Sequence, residues 1–156
     1  SLRLATDNLR QLLMARTQAK QLVRSGSHTM VQAVDNNPLK FSPSTQDALT
    51  AMFGPASASF MPADRAFAQS FSDLKSHQVK TYGAMQAALR RLEKELSPAS
   101  VEASIEPDKG ISAMLGSRKA RLWDVYTARW SAKTSNRDHG LVDAFMIEFS
   151  DCYDQQ

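Results

Sequence analysis

Apolar residues recur every three or four positions over several stretches of the chain, and this spacing predicts amphipathic helices. The first stretch is interrupted on its apolar face by Arg16 and is followed by Gly26, a helix-stop signal. The apolar face consists of Leu2, Ala5, Leu9, Leu12, Ala19 and Val23. We therefore predict one helix at the start of the chain.

The longest periodic stretch begins after Pro62. Its apolar face consists of Phe67, Phe71, Leu74, Gln78, Tyr82, Met85, Leu89, Leu92 and Leu96, of which Gln78 is polar. About 34 residues at a rise of 1.5 Å each predict a helix roughly 50 Å long, the central element of a bundle. Gly83 inside it costs about 1 kcal/mol relative to alanine unless another helix crosses closely there.

Two Ser-Pro pairs predict shorter helices, because serine is a good N-cap and proline fits the first helical turn. The pair at Ser42 and Pro43 opens a helix that ends at Gly54, and the pair at Ser97 and Pro98 opens one that runs toward Ile105.

Two further helices complete the chain, one from near Ser117 to Lys133 and one from Asp138. The first stacks Trp123, Tyr126 and Trp130 on one side, a spacing typical of a core. No convincing strand pair or repeat occurs in the sequence. The fold class is all-α: a single compact bundle of five or six helices with one long central helix, forming one domain over residues 1–156.

Residues 35–43, DNNPLKFSP, break the helical period. Asn37 precedes a proline and is therefore pushed toward extended backbone geometry. In an extended segment Leu39 and Phe41 point the same way and anchor the segment, while Asn36, Asn37 and Lys40 are free to face outward. The residues alone leave open whether this stretch is a binding site or a connector, and they favour the connector.

Composition excludes several classes of protein. A chain of 156 residues with 42% hydrophobic content can bury a core without cross-links, and the single Cys152 gives no internal disulfide. No apolar run is long enough to span a bilayer, so membrane insertion is not expected. The start at Ser1, without an initiator methionine, suggests an excised fragment.

Charge is distributed unevenly although the net charge is only +3. Residues 1–40 carry a net +4, residues 86–133 a net +3, and residues 134–156 a net −4. This asymmetry suits electrostatic steering of a partner. It gives little support to nucleic-acid binding, because acids alternate with the basic residues and no basic run with interleaved aromatics occurs.

Catalytic chemistry has no recognisable constellation in the sequence. The three histidines stand at none of the usual metal spacings, and the GSRKAR stretch at 116–121 lacks the glycine spacing of a phosphate loop. Cys152 lies on or beside an apolar helix face and is expected to be a small buried hydrophobe. We predict a protein that is not an enzyme and needs no metal or other cofactor.

Two stretches remain as candidates for partner binding. The first is the basic start of the fifth predicted helix, where Arg118, Lys119 and Arg121 lie at the positive end of a helix dipole without a local reason to be there. An acidic partner or a solvated helix start explains them equally well. The second is the DNNPLKFSP loop, through Asn36 and Lys40.

The elements NNPLKFSP, RKARLWDVY at 118–126 and LVDAFMIEFSDCYD at 141–154 together resemble the C-terminal domain of the FHA-domain proteins of bacterial type VI secretion. The resemblance covers nearly the whole chain. It implies that the family motifs here comprise Asn36, Asn37, Pro38, Leu39, Lys40, Phe41, Lys119, Ala120, Arg121 and Trp123. Of these we expect Asn37, Pro38, Leu39, Phe41 and Trp123, with Tyr126, to hold the fold together.

The resemblance implies a non-enzymatic scaffold of the secretion apparatus. Its expected partners are baseplate or inner-membrane-complex proteins, with self-association left open, and its expected place is the cytoplasmic face of the inner membrane. An upstream FHA domain, which this helical chain does not itself contain, would connect it to threonine phosphorylation. The alternative reading is a nucleic-acid or nucleotide-binding helical domain that uses the basic patch, and nucleic acid is the less favoured partner.

Overall fold

The computed structural model describes residues 1–22, 34–105, 117–135 and 139–156, and these residues form seven helices. The helices are α1 (Leu2–Leu22), α2 (Pro38–Phe41), α3 (Thr45–Phe53), α4 (Ala63–Leu96), α5 (Pro98–Ala103), α6 (Arg118–Thr134) and α7 (Leu141–Asp154). The described ranges contain no strand beyond one isolated bridge between Asn36 and Phe60. The all-α class and the long helix of 34 residues are confirmed. Val23, Gly26 and Asp138 lie outside the described residues.

The chain divides into two compact units, Ser1–Tyr82 and Gly83–Gln156, and α4 contributes residues to each. The assignment of 1–156 to one domain stays a prediction. In the first unit a hydrophobic core forms where α1, α2 and α3 meet the start of α4. Its buried members are Leu9, Leu13, Leu39, Met52, Met61 and Ala66.

The segment between α1 and α3 differs from the sequence prediction at its caps. Ser44, not Ser42, caps α3, because its hydroxyl accepts a hydrogen bond from the backbone N–H of Asp47 at 3.1 Å. Ser42 instead ends α2, and its N–H donates to the carbonyl of Pro38 at 3.0 Å. The described residues thus form one helix more than the five or six predicted. The additional helix is the single turn α2, where the sequence predicts an extended connector. The predicted end of α3 at Gly54 is confirmed.

The buried face of α4 lies about one residue away from the predicted apolar face. The fully buried positions are mostly small: Ala66, Ser70, Ala84, Ala88 and Leu92. Of the predicted face, Phe71, Tyr82, Met85 and Leu89 are exposed. Small side chains let neighbouring segments approach the helix backbone closely, and this steric preference outweighs the burial of the larger apolar residues.

The second unit buries residues from α4, α5 and α7, namely Ala84, Ala88, Leu92, Val101, Ala144, Phe149, Cys152 and Tyr153. The expectation of a buried Cys152 is confirmed. The prediction that the α6 aromatics form core is wrong for Trp123 and Trp130, which are exposed. α6 has no fully buried residue, and Tyr126 on the same side is half-buried, so this side of α6 contributes a groove wall instead of a core.

No helix in the described part of the chain is both long enough and apolar enough to cross a membrane.

Candidate functional site

Asn37 is the most completely bonded side chain of the NNPLKF motif. Its carbonyl oxygen accepts from the backbone N–H of Leu39 at 3.0 Å and so caps α2. Its amide nitrogen lies 3.0 Å from the carbonyl of Ala66, 2.7 Å from Oε1 of Gln69 and 3.1 Å from Oγ of Ser70. Because both ends of the amide are satisfied inside a site only 2% exposed, Asn37 joins α2 to α4.

Asn36 bonds the same segment to the loop before α4, and Asp35 bonds it to the first turn of α4. The backbone N–H of Asn36 donates to the carbonyl of Ser59 at 2.9 Å, and the Asn36 side-chain amide donates to that carbonyl at 3.2 Å. Asp35 has a positive φ of 59° and accepts two hydrogen bonds from Arg65, at 2.9 and 2.6 Å. Those bonds raise the pKa of Arg65 above its usual value.

Lys40 forms an ion pair with Asp73 on α4, and its side chain is only 13% exposed. Arg10 of α1 donates to the carbonyls of Pro38 at 3.3 Å and Ser42 at 2.7 Å, satisfying the end of α2. The expectation that Asn36 and Lys40 face outward is therefore wrong, because each uses its polar end inside the first unit. Their assignment as partner contacts stays a prediction.

The basic start of α6 presents its cations differently. Ser117 is the N-cap but makes no side-chain capping bond, and the first turn contains no acid. Arg118 and Lys119 are exposed, and Arg121 is half-buried. Among the described residues no carboxylate pairs with Arg118 or Lys119. These two cations are the predicted partner contacts that the structure leaves accessible.

Arg129 positions α6 against the junction of α4 and α5. One guanidinium nitrogen donates to the carbonyl of Glu95 at 2.9 Å and to Oγ of Ser100 at 2.8 Å. The other nitrogen donates to the carbonyl of Ser100 at 3.2 Å. The planar guanidinium thus satisfies carbonyls at the end of α4 and within α5, and it holds the second half of α6 against them.

One turn further along α6, Lys133 reaches two carboxylates. Its Nζ lies 2.8 Å from Glu95 and 3.5 Å from Glu148 of α7. The hydrogen bond with Glu95, followed by the charges of both acids, raises the pKa of Lys133. Arg91 of α4 adds a contact to Glu148 at 3.4 Å. Lys133 therefore pairs the C-terminal half of α6 with acids of α4 and α7.

An apolar groove of about 350 Å³ opens beside the basic start of α6. The described residues that line it come from the end of α4, from α5 and from α6: Leu96, Pro98, Val101, Glu102, Lys119, Leu122, Trp123 and Tyr126. Trp123 is 64% exposed and stacks on Tyr126 with ring centroids 5.6 Å apart. Exposed Trp123 and half-buried Tyr126 lie beside Arg118 and Lys119, which pair with no carboxylate among the described residues. Together they can hold an apolar side chain next to an acidic one.

The described residues contain no group of histidine, cysteine and carboxylate side chains that could hold a metal ion. His77 is half-buried on α4, and its pKa lies below the ordinary value because burial, then Arg16 and Lys20, disfavour the charged ring. His28 lies outside the described residues.

The family model of the C-terminal domain of type VI secretion system FHA proteins matches residues 1–156. The chain belongs to this family. A search of curated proteins and a search of solved structures returned no match. Membership of this family supports a role in type VI secretion. The NNPLKF stretch lies in the first unit, and Lys119 and Trp123 are exposed residues of the second.

The sequence does not predict the residues that hold α6 in place or that line the groove beside it. The one sequence signal for Arg129 is that it follows Leu122 by seven residues and therefore lies on the same side of α6 as that apolar residue. The Ser97–Pro98 pair predicts only that Pro98 and Val101 belong to a short helix. Their place in the groove depends on how α5 meets α6, which helical periodicity does not specify.

Proposed function

We propose that this domain is a non-enzymatic docking module of the type VI secretion apparatus, and that it binds an acidic surface of a baseplate or inner-membrane-complex protein. The observation that carries the proposal is the exposed pair Arg118 and Lys119 at the start of α6, without a carboxylate partner among the described residues. A helix N-terminus already carries a partial positive charge, so two further cations there cost stability unless an anion meets them. Their placement favours a role in binding over a role in folding.

The NNPLKF motif supports the proposal because its own polar groups are already used within the first unit. Its polar side chains are used internally, by Asn37 toward α4, by Asn36 toward Ser59 and by Lys40 toward Asp73. This arrangement accounts for the motif as architecture and leaves the α6 start as the better candidate for a contact surface. In the same proposal the domain acts at the cytoplasmic face of the inner membrane, and an FHA domain connects it to threonine phosphorylation.

A binding experiment with separate components tests this function. The 1–156 chain, immobilised at low salt, is presented with each purified baseplate and membrane-complex protein in turn. We expect retention of at least one acidic component, with weaker retention as salt increases, because exposed charge pairs are screened. If no component is retained, the docking proposal is wrong; if only DNA or RNA is retained with a steep salt dependence, the nucleic-acid alternative replaces it.

A further inference from the structure

One side of α7 presents acidic side chains around an exposed isoleucine, which is the combination that the basic, apolar groove beside α6 could bind. Asp143, Ile147, Asp151 and Asp154 are spaced by four, four and three residues and therefore share one side of the helix. Ile147 is 51% exposed in the middle of this face, and Asp151 and Asp154 are exposed. No cation in the described part of the chain pairs with these three acids, although Asp143 accepts a bond from the N–H of His139 at 3.2 Å.

The groove is complementary to that face in charge, and its wall is apolar as Ile147 is. Its apolar wall, formed in part by Leu122 and Trp123, can cover one branched aliphatic side chain. Glu102 and Lys119 both line the groove, and their opposite charges offset each other. The preference for acids therefore comes from the added charge of Arg118 and from the positive end of the α6 dipole. An apolar residue ringed by acids fits there.

We propose that the domain self-associates, with the α7 face of one copy, centred on Ile147, seated in the α5–α6 groove of a second copy. The two surfaces are different, so the contact joins unlike patches of identical chains. This inference goes beyond the proposed docking function. Lys119 lies in the groove and also in the basic start of α6 that is proposed to dock a secretion component. A groove occupied by a second copy is therefore closed to that component, so self-association competes with docking.

Sedimentation velocity of the 1–156 chain tests the contact in the absence of any secretion component, so its outcome is independent of the docking proposal. The sedimentation coefficient is expected to rise between about 10 µM and about 500 µM at low salt, as for a dissociation constant in the micromolar range. The rise should shrink at high salt, because the rim charges are screened. A chain that stays monomeric at the highest concentration overturns the inference.

Variants locate the contact. Ile147→Ala should weaken association about tenfold by removing the apolar anchor. Val142→Ala is the matched control, since Val142 is an exposed aliphatic on another side of the same helix, and it should leave association unchanged. Equal association of both variants and the unsubstituted chain would place the interface elsewhere, for example on the exposed apolar residues of α4.

Mixing two charge-reversed chains gives the sharper test. Lys119→Glu impairs the groove and keeps the α7 face, whereas Asp151→Lys impairs the face and keeps the groove. Each alone should associate at least tenfold more weakly than the unsubstituted chain, and an equimolar mixture should form a one-to-one heterodimer through the intact pair of surfaces. A mixture as monomeric as its components contradicts the proposed pairing.

Discussion

The side-chain amide of Asn37 lies 3.0 Å from the backbone carbonyl of Ala66, and both residues are buried. Through this bond the one-turn helix α2 is tied to α4, which begins 25 positions further along the chain. A four-residue helix cannot persist by itself, because its nucleation is unfavourable. The NNPLKF motif is thus folded by its contacts with the helices around it.

Replacing Asn37 with alanine should destabilise the first unit by about 3 kcal/mol, because it removes the α2 cap, leaves the Leu39 N–H unpaired in the interior and removes the amide contacts to Ala66 and Ser70. Asn36→Ala should cost about 1 kcal/mol, since the backbone bonds of Asn36 remain. Urea denaturation followed by circular dichroism measures both values. Equal losses for the two variants would contradict the central place of Asn37.

The sequence predicted part of this site. It placed Asn37 in extended geometry before a proline, and the structure confirms a φ of −77° and a ψ of 113°. It did not predict that α2 closes a helical turn, because a single turn carries too few residues for a periodic signal. Nor could it place Asn36 and Lys40, since their partners Ser59 and Asp73 are 23 and 33 residues away.

Arg129→Ala should destabilise the second unit by about 2 kcal/mol. The change leaves the Glu95 and Ser100 carbonyls without the guanidinium that now satisfies them. Arg129→Lys should recover less than half of that loss, because one ammonium group cannot reproduce the planar fork. Thermal melting of both variants measures the effect, and full recovery by lysine would mean that charge alone matters.

His77→Gln should flatten the dependence of stability on pH. Burial lowers the pKa of His77 in the folded chain below its value of about 6.5 in the unfolded chain, so the unfolded chain takes up the proton first as pH falls. Stability is then full above pH 6.5 and declines as pH falls from there toward the folded pKa. Urea midpoints between pH 7.5 and about 5 check this, with His139→Gln as the control at an exposed histidine. If His77→Gln has the same slope of stability against pH as the unsubstituted chain, then a lowered pKa of His77 does not cause the loss of stability at low pH.

Two glycines should respond oppositely to alanine. Gly140 has a φ of +56°, so Gly140→Ala introduces backbone strain of about 1–2 kcal/mol at the start of α7. Gly83 lies inside α4, where an added Cβ meets only the end of the flexible Gln156 side chain, at 2.9 Å. Gly83→Ala should therefore be neutral or stabilise by up to about 1 kcal/mol. Differential scanning calorimetry separates the two, and a large loss for Gly83→Ala would show that Gln156 is held rigidly.

The long helix shows what periodicity can and cannot predict. Its length and its start after Pro62 follow from the repeat of apolar residues, and both are confirmed. The face it buries does not follow, since Ala84 and Ala88 are buried while the larger Tyr82 and Leu89 are exposed. A hydrophobicity pattern favours large side chains, whereas close packing against a helix backbone favours small ones.

The most direct test of the docking claim uses the secretion component that binds the immobilised 1–156 chain. Its affinity for the chain is measured by calorimetry at two salt concentrations. The decisive variant is Arg118→Glu with Lys119→Glu; its control, Lys75→Glu with Arg90→Glu, makes the same charge change at exposed positions of α4. We predict a loss of at least tenfold in affinity for the first pair and less than a twofold change for the control. The melting temperature of the first pair should equal or exceed that of the unsubstituted chain, because acids replace cations at the positive end of the α6 dipole. Equal affinities for the two pairs would contradict docking through the start of α6.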